Sequence, residues 1–261
     1  VETPGQLSVE INTQWRADAF EVMRRTSNLV YLLLTKRPQN IVKLADAAGG
    51  LPKNAALGTT VEDQKRADAN LPALKVAKIE TSPLFTFGSF EPLLGPIIIP
   101  PAFMPDWVIT GGETDQGGHK ARPTKPDWFR SLRDQAAKSN VPFHHKQNGE
   151  WVSVSEVAGV GIHFQFEDGA TVRRIGKKLS GRTIDGVTHD AFPILSSLSL
   201  PCKENGETVT PSQQMAVPHD PTEAMIDAAL RVDWECDGDE RAAAINVWHA
   251  MYAAATEADN A

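Results

Sequence analysis

Charged side chains recur in this sequence at one kind of position, directly after a short apolar run. Lys36 and Arg37 follow VYLLLT, Glu62 follows the run that begins at Ala55, and Ser89 and Glu91 close the run that begins at Leu84. Glu113 follows residues 106–112, Arg122 lies in the loop beyond it, and Lys146 and Gln147 end the run that begins at Val141. A cation so placed could meet a carboxylate or phosphate, and a carboxylate such as Glu91 could take the amino group of an amino-acid-like ligand. The same groups also suit solvated strand ends, caps or ion pairs. Two lysines (Lys36, Lys146) mixed with three carboxylates (Glu62, Glu91, Glu113) suit a zwitterionic or nucleotide-like small ligand better than a long polyanion, which would need a cationic stripe.

These residues converge only if the elements before them run side by side. Residues 106–112 form a short apolar run ending in Gly-Gly, which reads as a buried strand. Pro126 then opens a helix with Trp128, Phe129, Leu132 and Ala136 on one face, and Val141 begins another strand. Strand starts at Val30, Ala55, Leu84, Asp106 and Val141, separated mostly by helices, predict an α/β fold: a partial (β/α) barrel or an open, mainly parallel sheet. Parallel connections put the loop after each strand on one edge, so the charged residues are expected around one concave surface. Glu91 is expected to contribute little to folding there. Gly111 and Gly112 are read as permitting a tight turn with positive φ. His144 and His145, adjacent on a strand, point to opposite faces and do not form a shared metal site. No metal site is predicted.

Residues 1–150 are therefore assigned to the partial barrel. Residues 162–166 and 171–175, with Glu167, Asp168 and Gly169 between them, predict a β-hairpin within a basic extension, 151–193. Its Arg173, Arg174, Lys177, Lys178 and Arg182 could contact phosphates or could protect a hairpin edge from aggregating, and the second reading is the one kept. Residues 194–218, rich in Ser, Pro and Thr, read as a linker, and 219–261 as an acidic helical tail open to a protein partner. Asp233, Glu235, Asp237 and Gly238 imitate half a calcium loop, but Ala244 occupies the position that needs a bidentate Glu, so an acidic helix connection is expected.

The chain has 261 residues, 41% apolar and 23% charged. No apolar run approaches the roughly 20 residues of a membrane-spanning helix, and no leader precedes Val1, so a cytoplasmic protein of a bacterial host or phage-infected cell is expected. Residues 211–261 carry ten acidic side chains against Arg231 and Arg241, more than the whole net charge of -7. The nearly neutral remainder gives no broad footprint for nucleic acid. Cys202 and Cys236, far apart and outside any motif, indicate neither a disulfide framework nor a zinc site.

Eight ordered motifs point further: LTKRP (34–38), LGTTVEDQ (57–64), SFEPLLGP (89–96), DWVITGGE (106–113), ARP (121–123), DWFRSLRDQ (127–135), VPFHHKQNGEW (141–151) and GKKLSGRTIDG (176–186). With them the chain resembles a phage and prophage family of radical-SAM-like proteins of unknown function, the three-Cys-motif type. The resemblance implies a partial (β/α) barrel, a [4Fe-4S] cluster on an amino-terminal cysteine triplet, and S-adenosylmethionine as co-substrate in full-length members. The cysteine triplet is missing here, and the match begins near Gln14, where family members have already passed it. Gly111-Gly112-Glu113 resembles the Gly-Gly-Glu that contacts the methionine amino group in radical SAM enzymes, but it comes late in the barrel and that role is not carried over. The expectation is a phage-associated radical-SAM-like chain without its cluster segment, inactive alone and with no cofactor of its own. The alternatives are a non-catalytic module binding a nucleotide-like ligand or a partner protein at its strand ends, and a decayed prophage remnant.

Overall fold

In the computed structural model, which describes residues 13–193, five parallel strands lie in consecutive order. They are β1 (Tyr31–Thr35), β2 (Ala55–Thr60), β3 (Thr86–Phe90), β4 (Trp107–Gly111) and β5 (Phe143–Gln147). Their starts fall within two residues of the expected ones. Between them run α2 (Ile41–Ala47), α3 (Gln64–Thr81) and α4 (Pro126–Lys138), with α1 (Thr13–Arg25) ahead of β1. The predicted linker, the acidic tail and its half calcium loop lie outside the described residues.

Side-chain period decides which face each element buries. On α3, Ala67, Asn70, Leu71, Leu74 and Ala77 form one stripe. On α4, Phe129, Leu132 and Ala136 do the same. These stripes pack on Leu57, Phe90, Val108 and Phe143, one face of the sheet, while Phe20 of α1 and Ala45 of α2 pack near Leu33. The other face carries Ala56, Phe85, Phe87 and Trp107. There the Phe87 ring crosses Gly58 so closely that a Cβ on Gly58 would lie 2.2 Å from it. Leu32 and Leu34 of the edge strand β1 are exposed.

Two local devices position the strand ends. Asp63 caps α3, accepting a hydrogen bond from the Arg66 amide at 2.8 Å. At the opposite end of the sheet, Asp106 accepts from Lys78 and from the Thr86 amide and hydroxyl, joining α3, β3 and β4. Burial raises the Asp106 pKa, but those hydrogen bonds together bring it below the ordinary value.

Beyond β5 the expected hairpin is present as β7 (Ile162–Gln165) and β8 (Thr171–Arg174), and it gains a strand, β6 (Trp151–Ser153), in the order β6-β8-β7. A helical turn, α5 (Lys177–Ser180), precedes the short antiparallel pair β9 (Thr183–Ile184) and β10 (Val187–Thr188). The following residues run along the outer edge of β5, where the His145 amide donates to His189 O and His144 bridges Asp190. The Trp107 indole N–H donates to Ala191 O at 2.9 Å, and Phe192 packs on Trp107 and His144. Among the described residues no helix is long and apolar enough to cross a membrane.

Candidate functional site

All five parallel strands end on the same side, and each delivers one or more of the expected residues there. Glu91, one residue past β3, accepts a hydrogen bond from the Lys146 ammonium at 3.1 Å and one from Gln147 Nε2 at 2.7 Å. Two consecutive residues of a regular strand point to opposite faces and could not both reach one carboxylate. The register explains it: Thr110 faces His145 but Gly111 faces Gln147, so β5 carries an extra residue at Lys146. The bulge turns both side chains toward Glu91. Ser89 stands two residues earlier on β3, buried between Thr60 and Ile109.

Glu113 is clamped by Arg122, whose guanidinium reaches the two carboxylate oxygens at 2.8 and 2.5 Å while its backbone amide donates at 2.7 Å. The Arg122 hydrogen bonds hold the Glu113 carboxyl below its usual range, outweighing burial. Arg122 is in turn held charged by Glu113, with Glu62 adding to the effect. Glu91, Gly112, Glu113 and Arg122 line a cavity of about 830 Å³, with Gln116, His119 and Lys120 on its loop side.

Lys36 pairs with Glu62 at 2.6 Å and, with Arg37, opens onto a second cavity of about 540 Å³ completed by Gln39, Thr60, Arg66 and Asn70. The expected single concave surface is thus divided in two. The divider is the chain after β3, whose Leu94 amide donates to Glu62 O at 2.8 Å and whose Leu93 amide donates to Gly111 O at 3.0 Å. An ion pair was one alternative for Glu91, and the structure contains it. The Glu91 side chain is only 18% exposed, so it is less peripheral than expected.

The glycine expectation needs correcting. Neither Gly111 nor Gly112 has positive φ. Both are needed for close approach: a Cβ on Gly111 would lie 2.8 Å from the Glu91 carboxyl carbon, and one on Gly112 2.0 Å from the Asn148 carbonyl oxygen. Positive φ falls instead at Gly149, whose own Cβ would lie 2.3 Å from Glu113 O.

His144 and His145 do face opposite ways. His145 is fully buried against Phe129, with Thr110 Oγ1 at 2.9 Å from Nδ1 and Asn148 Oδ1 at 3.0 Å from Nε2. The Asn148 amide nitrogen donates to Ser180 O and Thr183 O, so its oxygen is the acceptor and the His145 proton sits on Nε2. Burial pushes the His145 pKa down to about 4. This neutral histidine is a strut under the β5 end.

Sequence reasoning did not assign Arg66, Asn70, Gln116, His119 or Lys120 to the cavities. Arg66 was within reach of it, because the first turn of a helix that follows a parallel strand stands at that strand's end. The loop residues carried no such signal. Nor did Asp115, which accepts from Arg174 of β8 at 2.5 Å and from the Ala121 amide at 2.8 Å and so ties the loop to the small sheet. Arg174 holds Asp115 ionised well below the usual carboxylate range.

Residues 6–193 match the profile of a protein family described as "Protein of unknown function (DUF5131)". No curated protein matches the chain, and no solved structure does.

Proposed function

The chain belongs to this DUF5131 family of unknown function, and we propose that its strand-end edge is a binding site for a small zwitterionic or nucleotide-like ligand on a partial (β/α) barrel. The observation that carries the reading is the Glu91 carboxylate, held at the strand ends by Lys146 and Gln147 and lining one cavity with the Glu113–Arg122 pair. A cavity with fixed charges of both signs suits a ligand bearing an ammonium and an anionic group. S-adenosylmethionine, an amino acid joined to a nucleoside, has that mixed character. The barrel reading is supported by the consecutive parallel order with α2, α3 and α4 on one face, as in a sheet wound in one direction.

The described residues do not fit an iron–sulfur cluster. Cys202 and Cys236 lie outside them, and no group of three His, Cys, Asp or Glu side chains among them is arranged to hold a metal. A second reading keeps the phage-associated, radical-SAM-like chemistry of the resemblance, with cluster thiolates supplied from outside this sequence. The eight ordered motifs support it.

Calorimetric titration with S-adenosylmethionine, methionine and adenine nucleotides tests the binding reading. Saturable binding is expected, weakened roughly tenfold or more by Glu91→Gln and by Glu113→Gln. No binding of any of these, or binding indifferent to both substitutions, would overturn it and leave the remnant reading standing.

A further inference from the structure

We propose that the second strand-end cavity is an anion subsite that takes a phosphate or pyrophosphate group. This deepens the binding reading above and rests on it for the remainder of the ligand. The cavity is lined by Lys36, Arg37 and Arg66 against a single carboxylate, Glu62. Glu62 is neutralised by Lys36 at 2.6 Å. The guanidinium groups of Arg37 and Arg66 make no hydrogen bond or ion pair among the described residues, and both residues line this cavity, Arg37 lining also the apolar cavity beside it against β1 and α2. Asn70 is not free, because its amide nitrogen donates to Thr60 O at 3.0 Å. The Asp63 carboxylate is engaged with the Arg66 backbone amide and leaves the Arg66 side chain unpaired.

The placement is as informative as the charge. Lys36 and Arg37 follow β1, Thr60 and Glu62 end β2, and Arg66 is on the first turn of α3, whose amino-terminal end favours negative charge. Two unpaired guanidiniums beside the Lys36–Glu62 pair match the charge and the several acceptor oxygens of a phosphate better than a lone carboxylate, which one arginine would satisfy. The neighbouring cavity differs in kind. There Glu91 is paired with Lys146 and Glu113 with Arg122, and that balance suits the cationic or neutral part of a ligand. Glu62 stands between the two, paired with Lys36 on one side and acting on Arg122 on the other. A nucleotide-like ligand would therefore lie with its phosphate toward β1 and β2 and its other end toward β3 and β4.

The test is calorimetric titration of the full chain with inorganic pyrophosphate. Wild type is expected to bind saturably, and the double variant Arg37→Gln/Arg66→Gln to bind at least about tenfold more weakly. Glu62→Gln removes a like charge and frees Lys36, so it should bind severalfold more tightly, which a merely structural Glu62 would not do. Failure of Glu91→Gln to alter S-adenosylmethionine or nucleotide binding, with pyrophosphate still bound through Arg37 and Arg66, would sink the broader reading alone. Absence of saturable pyrophosphate binding, or equal binding by wild type and the double variant, would overturn the subsite. If the double variant does not fold, Glu62→Gln decides: tighter binding supports the subsite, and unchanged or weaker binding overturns it.

Discussion

Gly112 approaches the carbonyl oxygen of Asn148 so closely that a Cβ on it would lie 2.0 Å away. The obstacle is main chain, which cannot rotate aside as the tip of a side chain can. Gly112→Ala must therefore part the ends of β4 and β5, and denaturant unfolding should show a loss of about 1–3 kcal/mol or more, as for overpacked interiors. Retention of wild-type stability would mean that the two ends are free to separate.

Glu91→Ala and Glu91→Gln should behave differently. Alanine removes the acceptor of the Gln147 amide nitrogen and leaves that buried group unpaired, at a cost of about 1–3 kcal/mol. Glutamine keeps an acceptor oxygen in place and gives up mainly the Lys146 pair, whose lysine is 56% exposed and contributes about 1 kcal/mol or less. Urea titrations of both variants check the difference, and equal stability of the two would refute it.

Acid should weaken the fold before the ordinary carboxylate range is reached. The folded-state pKa of His145 lies near 4, below the reference 6.5, because burial favours the neutral ring. The unfolded chain therefore takes the proton first. The stability contributed is full above about pH 6.5 and is lost as pH falls toward 4, at up to about 1.4 kcal/mol per pH unit for one such group. His144 and His189 are lowered in the same direction, also by burial. Unfolding free energies measured from pH 7.5 to 4 should fall steadily, and nitrogen-15 spectra should show His145 neutral with its proton on Nε2 at pH 6. A flat profile would contradict the burial of these rings. Asp185 titrates lower still, brought to about 2 by Arg130 and Arg133.

Anaerobic reconstitution of the chain with iron and sulfide should leave no stoichiometric [4Fe-4S] absorbance. The only thiols are Cys202 and Cys236, and a cubane needs three thiolates close together. A chain that retained four irons after desalting would show that the cysteines of several copies can assemble a cluster.

The parallel sheet was legible because four of the five strands are short, largely apolar runs bounded by glycine, proline or charge, and because the intervening helices carry their apolar residues at helical spacing. That order also placed Lys36, Glu62, Glu91, Glu113 and Lys146 at one end of the sheet. The bulge at Lys146 was not legible, since FHHKQ holds nothing in its alternation to mark an extra residue. Gly112 was misread for a related reason. A glycine can answer either a positive φ or a close approach, and only the partner strand, 36 residues later, tells which applies. The division of the strand-end surface depends on the Leu93 and Leu94 amides crossing to Gly111 and Glu62, contacts that no local pattern announces.

The hydrogen bonds that residues 175–191 make to the β4 and β5 ends have a consequence for how the chain can be cut. A fragment stopping near residue 150 would keep all five parallel strands. It would also lose the acceptors of the Asn148 backbone amide (Gly181 O), the Asn148 side-chain amide (Ser180 O and Thr183 O), the His145 amide (His189 O) and the Trp107 indole (Ala191 O). Asp115 would lose Arg174 as well, and the cavity loop its outer anchor. Library truncations or fusion joints placed there would cut through the mortar of the strand-end cavities, whereas joints beyond residue 193 leave each of these bonds whole.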